Sequence, residues 1–403
     1  MFDISNDINS SISLPLISTR QPANLRPNSI HQPCLKVLGL GGGGSNAINR
    51  MIELGLSGVE FIAANTDYQA LQNCLAPTKI QLGPETTRGL GAGGNPSIGE
   101  AAAQESWREI ATALNGADMV FLTAGMGGGT GTGSIYIAAQ IARSIGAVTI
   151  AIVTMPFSFE LGRRQRNANQ GLNNLRPHAD TLISIPNDRL LYVAPRNLPL
   201  EIAFRLADDV LRQSVQGITE LITRPGVINV DFANVRNLMK LGGGALMSIG
   251  QGEGENKALK AIEQALHHPL LQDTSIDNAA GILVNFTCGE DLTLLEVDTA
   301  LTHLRSQAGD QAEIILGVVN DERLENRVEA ILVVTGLGAK SIDEAIPGLR
   351  MCSYAKQQTT AMSTNQSNES LITATAEAMT AQESYYAANR NNLDLPAFLR
   401  RPR

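Results

Sequence analysis

Short apolar runs alternate with helix-like segments through the first part of the chain. The runs end in Gly-rich or Asn/Asp turns and lie at residues 35–40, 59–64, 119–123 and 148–153. Unbroken apolar runs of this length are typical of strands buried on both faces, as in a parallel sheet with helices between the strands. The pattern predicts a Rossmann-type α/β unit over residues 34–200.

A long amphipathic segment follows this unit. Residues 201–221 repeat apolar side chains at the i, i+3, i+4, i+7 spacing of a helix, and Arg224-Pro225-Gly226 ends it. We predict one long central helix within residues 201–224 and a loop over residues 225–236. Strands predicted at 280–287, 313–319 and 329–335, with a helix at 294–306, make residues 237–339 a second, smaller α/β unit.

The two ends of the chain lack this pattern. Residues 1–33 are rich in Ser, Asn and Pro, which predicts a disordered extension. Residues 340–391 are rich in Gln, Ser, Thr, Asn and Ala, which predicts a flexible linker with one short helix near 371–379. Residues 392–403 regain apolar and basic side chains. A short motif of this kind on a tether is typical of a peptide that binds a partner.

Composition and charge exclude several classes of protein. The chain has 403 residues, 4 % aromatic residues and a formal net charge of −8. A net negative charge disfavours a nucleic-acid partner held through its phosphates. No apolar run approaches the roughly 18 residues of a membrane span, so we expect a cytoplasmic protein without membrane insertion. Single, scattered cysteines argue against a disulfide framework or a zinc site; they are Cys34, Cys74, Cys288 and Cys352.

A glycine-rich loop follows the first predicted strand. The segment from Gly39 to Asn46, GLGGGGSN, satisfies the G-x-G-x-x-G pattern and precedes a predicted helix at 47–54. Glycines let a backbone approach a phosphate closely, and a helix N-terminus supplies unpaired N–H groups. On its own, this loop is compatible with a nicotinamide or flavin dinucleotide and hence with an oxidoreductase.

A second glycine-rich loop changes this interpretation. The segment from Gly125 to Gly133, GMGGGTGTG, lies between the strand at 119–123 and a predicted helix at 135–144. Because the carboxyl ends of parallel strands meet at one edge of a sheet, both loops can contact one ligand. Two phosphate-binding loops indicate a polyphosphate, and neither is followed by the lysine of a Walker A motif.

These residues resemble the tubulin/FtsZ family, and within it the FtsZ branch of bacterial cell-division GTPases. The sequence GGGTGTG at 127–133 is the signature of that family, and the resemblance runs from about residue 35 to residue 338. It includes residues 65–67, 89–96, 156–160, 185–188 and 223–226. The resemblance implies a tubulin-like fold in which a GTP-binding domain, the central helix and the smaller domain follow one another. It also implies GTP or GDP as the nucleotide, accompanied by Mg²⁺.

The resemblance further implies the residues of the nucleotide site, with no protein side chains as metal ligands. Three loops would surround the phosphates: Gly42, Gly43, Gly44 and Asn46 in the first, Ala92, Gly93, Gly94 and Asn95 in one that senses the γ-phosphate, and Gly129, Thr130, Gly131, Thr132 and Gly133 in the third. Glu160 would bind the ribose and Arg164 the sugar-phosphate region. Phe204 would stack on guanine, and Asn187 and Asp209 would hydrogen-bond to its edge.

Another segment would act on the nucleotide of a neighbouring copy. In the family, the loop that matches Asn229-Val-Asp231-Phe-Ala-Asn234 completes the hydrolytic site of the next subunit in a head-to-tail filament. The candidate catalytic residues are therefore Asn229, Asp231 and Asn234.

Family members usually carry two aspartates in this loop, and Asn234 replaces the second. A carboxamide is a poor base, so we predict hydrolysis slowed by roughly 10²–10⁴-fold and persistent filaments. Two alternatives stay open: Asp231 alone suffices for hydrolysis, or the protein is a hydrolysis-impaired paralogue that copolymerises with an active family member.

The end of the chain also resembles the family. Its terminal peptide would bind membrane-tether and division proteins of the FtsA, ZipA or SepF type through Leu395, Pro396, Phe398, Leu399 and Arg400. The resemblance thus implies a self-polymerising scaffold of the division ring, the Z ring, located at midcell.

Overall fold

The structure, a computed structural model, describes residues 32–160, 162–192, 199–242, 244–271, 276, 279–308 and 312–337. Among these residues, no helix is both long and apolar enough to cross a membrane. The predictions made for residues 1–31 and 338–403, including the linker, the terminal peptide and Cys352, lie outside the described residues.

The elements of the described residues alternate between strands and helices. The strands are β1 Leu35–Leu40, β2 Glu60–Asn65, β3 Thr78–Gln81, β4 Met119–Gly125, β5 Val148–Met155, β6 Thr181–Pro186, β7 Gly244–Glu253, β8 Gly281–Cys288, β9 Glu313–Asn320 and β10 Arg327–Leu337. The α-helices are α1 Gly41–Glu53, α2 Tyr68–Gln72, α3 Pro84–Thr87, α4 Pro96–Glu105, α5 Trp107–Leu114, α6 Thr130–Ser144, α7 Arg163–Leu175, α8 Asn187–Leu190, α9 Leu200–Thr223, α10 Phe232–Met239, α11 Lys257–Leu266 and α12 Leu294–Ala308.

All these strands belong to one sheet, in the order β3-β2-β1-β4-β5-β6-β7-β10-β8-β9. The first half is parallel: β1 pairs with β2 on one side and with β4 on the other. The chain therefore builds outward in opposite directions from β1 and β4. A crevice opens at such a reversal, beyond the carboxyl ends of the strands, and it is where ligands bind in open α/β sheets.

The second half of the sheet is mixed. β7 pairs in parallel with β6 through Leu182 and Ile183, while β10 runs antiparallel to both β7 and β8. β8 and β9 are again parallel. The prediction of a mainly parallel α/β fold with a long central helix is confirmed, since α9 covers 24 residues.

Burial on both faces explains why the parallel strands have continuous apolar sequences. All six residues of β1 are buried. Val37 belongs to a core cluster that includes Val215 of α9, whereas Leu38 belongs to a second cluster that includes Ile135 of α6. Successive side chains of a strand point to opposite faces, so each face is covered by a different helix layer.

Some predicted boundaries were wrong. α1 and α6 begin at Gly41 and Thr130, so the glycine-rich segments contribute the first turns of these helices. The predicted loop over residues 225–236 ends at Asp231, and Asn234 lies in the first turn of α10. Of the described cysteines, Cys74 and Cys288 are buried and Cys34 is half-buried, each as a free thiol.

Candidate nucleotide-binding site

A cavity of about 360 Å³ lies at the carboxyl ends of β1, β4 and β5. It therefore occupies the position where the strand order reverses, as expected for a ligand site in an open α/β sheet. Its lining consists of Leu40, Gly42, Gly43, Asn46, Gly125, Met126, Gly128, Gly129, Thr130, Gly131, Thr154, Pro156, Glu160, Arg164, Asn187, Phe204, Ala207 and Asp208.

Two helices begin at one end of this cavity. α1 starts at Gly41 and α6 at Thr130, and no side chain caps either N-terminus by a hydrogen bond. The first N–H groups of a helix have no partner within the helix, and the helix dipole makes this end positive. The two N-termini together form a site suited to the negative oxygens of a polyphosphate.

The first loop contributes both lining and packing positions. Gly42, Gly43 and Asn46 line the cavity. Gly44 does not, because it is buried against β4: a Cβ there would lie 2.5 Å from the backbone oxygen of Thr123. Gly44 thus allows α1 to approach the sheet.

The second loop also contains some residues that line the cavity and others that pack against neighbouring elements. Gly129, Thr130 and Gly131 line the cavity. Thr132 is buried, and its Oγ1 accepts a hydrogen bond of 2.9 Å from the N–H of Gly127, which fixes the loop from inside. A Cβ on Gly133 would lie 2.0 Å from the backbone oxygen of Pro96, so Gly133 allows α6 to pack closely against α4.

The loop predicted to sense the γ-phosphate lies beside the second loop, outside the cavity lining. A Cβ on Gly129 would lie 2.8 Å from both Cβ of Ala92 and N of Asn95. Gly93 and Gly94 are exposed and have positive φ values of 57° and 69°. The loop thus contacts the second loop through the buried Ala92 and the half-buried Asn95, and it exposes its two glycines.

The opposite end of the cavity carries aromatic and amide groups. Phe204 is 39 % exposed and makes an edge-to-face contact with Phe157, with ring centroids 5.5 Å apart. Asn187 is buried, and its Oδ1 has no hydrogen-bond partner. A buried acceptor without a partner is costly, so this oxygen is suited to an N–H donor of a ligand.

A carboxylate and a guanidinium lie between the two ends. Oε1 of Glu160 accepts a hydrogen bond of 3.0 Å from the N–H of Phe157, and Oε2 pairs with Arg164. The Glu160 side chain is 10 % exposed and that of Arg164 is 60 % exposed. One carboxylate oxygen is thus fixed by the backbone, and the arginine remains accessible to a ligand.

The aspartate that lines the cavity is Asp208, one residue before the predicted Asp209. Asp209 instead forms a 2.8 Å ion pair with Arg212 and lies 4.0 Å from Arg50. Helix geometry explains the difference: residues four apart share a face, so Asp208 lies on the side of Phe204, whereas Asp209 is rotated from Phe204 by about 140°. The four-residue spacing between Phe204 and Asp208 was the feature of the sequence that could have identified Asp208 as the cavity residue.

Burial has a strong effect on Asp208. It raises the pKa of this carboxyl to about 7, against the lowering effect of Arg50 and with a further increase from the charge of Asp209. The acid is therefore partly protonated near neutral pH in the nucleotide-free chain. N–H donors of a ligand would favour the ionised form and lower the pKa again.

The predicted catalytic segment lies on the surface, away from its own chain's cavity lining. Asn229, Asp231 and Asn234 are all exposed. Oδ1 of Asn229 accepts a 2.7 Å hydrogen bond from the N–H of Gly226, and Ile228 pairs with Val318 of β9 through two backbone hydrogen bonds. The segment is therefore a defined surface structure that presents its polar side chains outward.

Family models match two parts of the chain. The GTPase domain of the tubulin/FtsZ family matches residues 34–195, and the C-terminal domain of the FtsZ family matches residues 243–338. The cell division protein FtsZ 1 of Thermococcus kodakarensis is 50 % identical over 308 residues, which are 76 % of this chain and 82 % of that protein. The chain belongs to the tubulin/FtsZ family.

Solved structures of this family share its fold. The empty FtsZ dimer of M. jannaschii is 47 % identical, with a TM-score of 0.73 over 76 % of this chain and 89 % of that one. CetZ2 of Haloferax volcanii, solved as a GTPγS-bound protofilament, has a TM-score of 0.66 over 76 % of this chain and 94 % of that one. At 20 % identity, the second likeness shows the fold alone.

Membership in the family implies that the nucleotide is GTP or GDP and the activity that of a GTPase. It replaces the oxidoreductase alternative that the first glycine loop had left open. The cavity lining also includes residues that were not predicted, namely Leu40, Gly125, Met126, Gly128, Thr154, Pro156, Ala207 and Asp208. Most of these lie at or just after strand ends, where the sequence pattern indicates a buried strand and gives no separate sign of a ligand contact.

Proposed function

We propose that this protein binds GTP in the cavity, polymerises head to tail, and hydrolyses GTP slowly at the contact between copies as the scaffold of a division ring. One observation carries the proposal. The cavity joins two uncapped helix N-termini at one end to Asn187, Phe204 and Asp208 at the other. Such an arrangement suits a nucleotide that has both a polyphosphate and a base with N–H donors.

The base end supports guanine over adenine. Guanine presents N1–H and N2–H₂ on one edge, and an ionised carboxylate only accepts hydrogen bonds. Asp208 therefore takes the role that was predicted for Asp209, with Asn187 as a second acceptor beside it. Adenine offers no pair of donors at this edge and would leave the half-buried carboxylate without hydrogen bonds from the base, which is costly.

The exposed segment supports hydrolysis in trans. Asp231 and Asn234 do not line the cavity of their own chain, so they would reach a nucleotide only in another copy. Asp231 would orient or deprotonate the attacking water, and Asn234 would hydrogen-bond to it without acting as a base. We therefore infer that the Asn234 substitution slows hydrolysis and prolongs the life of the filament.

Mg²⁺ would enter with the nucleotide. The described residues contain no group of three or more His, Cys, Asp or Glu side chains that could hold a metal ion. Backbone N–H groups at the phosphate end cannot ligate a cation, so phosphate oxygens and water would hold the metal, with the Thr130 hydroxyl as an available protein oxygen. When bound, Mg²⁺ would neutralise part of the phosphate charge.

The terminal peptide would attach the filament to division proteins at the membrane. Its apolar anchors, Leu395, Phe398 and Leu399, lie among small and basic residues, as in short motifs that dock into a groove. A chain that ends at residue 391 should pellet normally with GTP and fail to bind vesicles coated with a tether protein. Unchanged recruitment of the shortened chain would refute this assignment.

The decisive experiment is phosphate release per subunit with GTP and Mg²⁺, above the assembly concentration, with pelleting as the control for polymer. The Asn234→Asp variant should release phosphate at least about tenfold faster than the natural chain while both pellet. Equal rates would show that Asp231 alone carries the chemistry. Absence of GTP-dependent pelleting in both would refute the polymer itself.

Asn234 also supports a second candidate, a paralogue that stabilises filaments of an active family member. Such a protein would bind GTP and hydrolyse little of it alone. A member with both aspartates, encoded in the same genome and cosedimenting with this chain in mixed filaments, would favour this candidate. Filaments that exclude this chain would refute it.

A further inference from the structure

Asn167 of α7 contacts two of the loops at the phosphate end of the cavity. Its Nδ2 donates one hydrogen bond of 3.1 Å to the backbone oxygen of Gly94 and another of 3.2 Å to that of Gly127. An amide nitrogen carries two hydrogens, so both bonds can form at once. One side chain thus links the γ-phosphate loop to the second glycine loop.

The γ-phosphate loop needs such support. Gly93 and Gly94 both have left-handed backbone conformations, and a Cβ on either would have no atom within 4 Å. The neighbouring residues Ala92 and Asn95 are held by the contact with Gly129, but the two glycines project beyond it. Glycines in open space have many accessible conformations, so a hydrogen bond to Gly94 restricts the loop where packing does not.

Gly127 is fixed from two sides. Its N–H donates to Thr132 Oγ1 and its carbonyl accepts from Asn167, with a φ of 99°. The peptide bond to Gly128 is planar and trans, so the direction of the Gly127 carbonyl sets the opposite direction of the Gly128 N–H. Because Gly128 lines the cavity, the direction of the Gly127 carbonyl determines how the Gly128 N–H can donate to a phosphate.

The helix that carries Asn167 is itself anchored. Nε2 of Gln165 donates hydrogen bonds of 3.3 Å to the carbonyls of Pro156 and Phe157, at the end of β5. A Cβ on Gly171 would lie 2.4 Å from Cγ2 of Thr132, so α7 also packs closely on α6. Asn167 therefore extends from a fixed support to the exposed loop.

We propose that Asn167 is a positioning residue that holds the γ-phosphate loop against the second glycine loop and so favours GTP over GDP. The proposal rests on the proposed function, since it takes the cavity as the GTP site. Its effect is expected to be selective, because the hydrogen bond to Gly94 orders a loop that only the γ-phosphate would contact.

The test uses the full chain and two variants. Asn167→Ala removes the side chain, and Asn167→Asp keeps its shape but removes both N–H donors. Each should weaken binding of the non-hydrolysable analogue GMPPNP by about 3- to 10-fold and change GDP binding by less than about twofold. The matched control is Asn173→Ala, at an exposed position of the same helix, which should change neither affinity.

Hydrogen exchange of the nucleotide-free chain gives a readout that does not depend on binding. The peptide that contains residues 92–95 should exchange faster in both Asn167 variants than in the natural chain or the Asn173→Ala control. Unchanged exchange, or equal losses for GMPPNP and GDP, would overturn the positioning role. If the Asn167 variants exchange faster but the natural chain binds no guanine nucleotide, the link between the loops is supported. The GTP site, and the selectivity inferred from it, are then overturned.

Discussion

The pH dependence of nucleotide binding should report the ionisation of Asp208. This carboxyl has a pKa raised to about 7 in the nucleotide-free chain, whereas the guanine edge would bind its ionised form. Binding therefore has to release a proton below that pKa. The apparent Kd should equal the Kd of the ionised form multiplied by a factor, which is one plus the ratio of acid to carboxylate. With a pKa of about 7, this factor is about 1.1 at pH 8 and about 11 at pH 6. GDP should thus bind roughly tenfold more weakly at pH 6 than at pH 8.

The assay is a titration of GDP by calorimetry at pH 6, 7 and 8. The Asp208→Asn variant should bind about 10- to 100-fold more weakly at pH 8, since it loses charge-assisted hydrogen bonds. It should also lose the tenfold pH dependence, while any contribution from phosphate titration remains in both chains. Asp209→Asn is the matched control: it should keep a pH dependence, shifted to lower pH because it removes a charge that raises the Asp208 pKa. Parallel pH profiles for the natural chain and Asp208→Asn would refute the assignment of Asp208 to the base.

Two further predictions concern the catalytic segment and the packing behind the phosphate loops. Asp231→Ala should abolish phosphate release. It should leave the Kd for GTP within about twofold of the natural chain, because the Asp231 side chain lies outside the cavity of its own chain. A large loss of GTP affinity in the monomer would contradict hydrolysis in trans. Gly133→Ala should lower stability by about 1–3 kcal/mol in thermal unfolding, because its Cβ would lie 2.0 Å from the Pro96 oxygen. Gly128→Ala, with no atom within 4 Å of its Cβ, should leave Tm unchanged, and equal effects would contradict the packing role.

In the parallel half of the sheet, the sequence predicts β1, β2, β4 and β5 because burial on both faces leaves a continuous apolar run, as in β1. β3 and β6 were not predicted. β7 escaped prediction for a physical reason. Its Gly250 and Gly252 lie against α11, where added Cβ atoms would be 2.0 Å from the Ala261 oxygen and 1.8 Å from the Lys257 oxygen. Glycines that permit such close helix packing make the segment resemble a loop rather than a strand.

The residues of the nucleotide site could be predicted where a short motif determines the backbone conformation. They were harder to predict where the geometry of a helix determines which side chain faces the cavity. Gly42, Gly43, Gly129 and Thr130 follow from glycine-rich loops at strand ends. The choice between two adjacent aspartates does not follow from a motif, because neighbouring residues on a helix point in directions about 100° apart.

Asn167 shows a different limit of sequence analysis. It lies in the polar sequence RRQRNANQ at the start of α7, where neither periodicity nor a motif distinguishes one amide from the next. Its two hydrogen-bond acceptors are 73 and 40 residues away along the chain. Contacts to backbone carbonyls over such distances depend on the assembled fold and have no local signature.

In the proposed function, nucleotide binding and catalysis belong to different surfaces of this chain, which limits what the Asn234 substitution can change. Asn234 is exposed in the first turn of α10, while Val235, Leu238 and Met239 hold that helix in the core. Exchange of one exposed polar side chain for another there should change stability by less than about 0.5 kcal/mol. It also leaves the cavity lining untouched. Loss of the second carboxylate is therefore expected to act on the lifetime of a filament, which depends on hydrolysis between copies, and not on fold or nucleotide affinity.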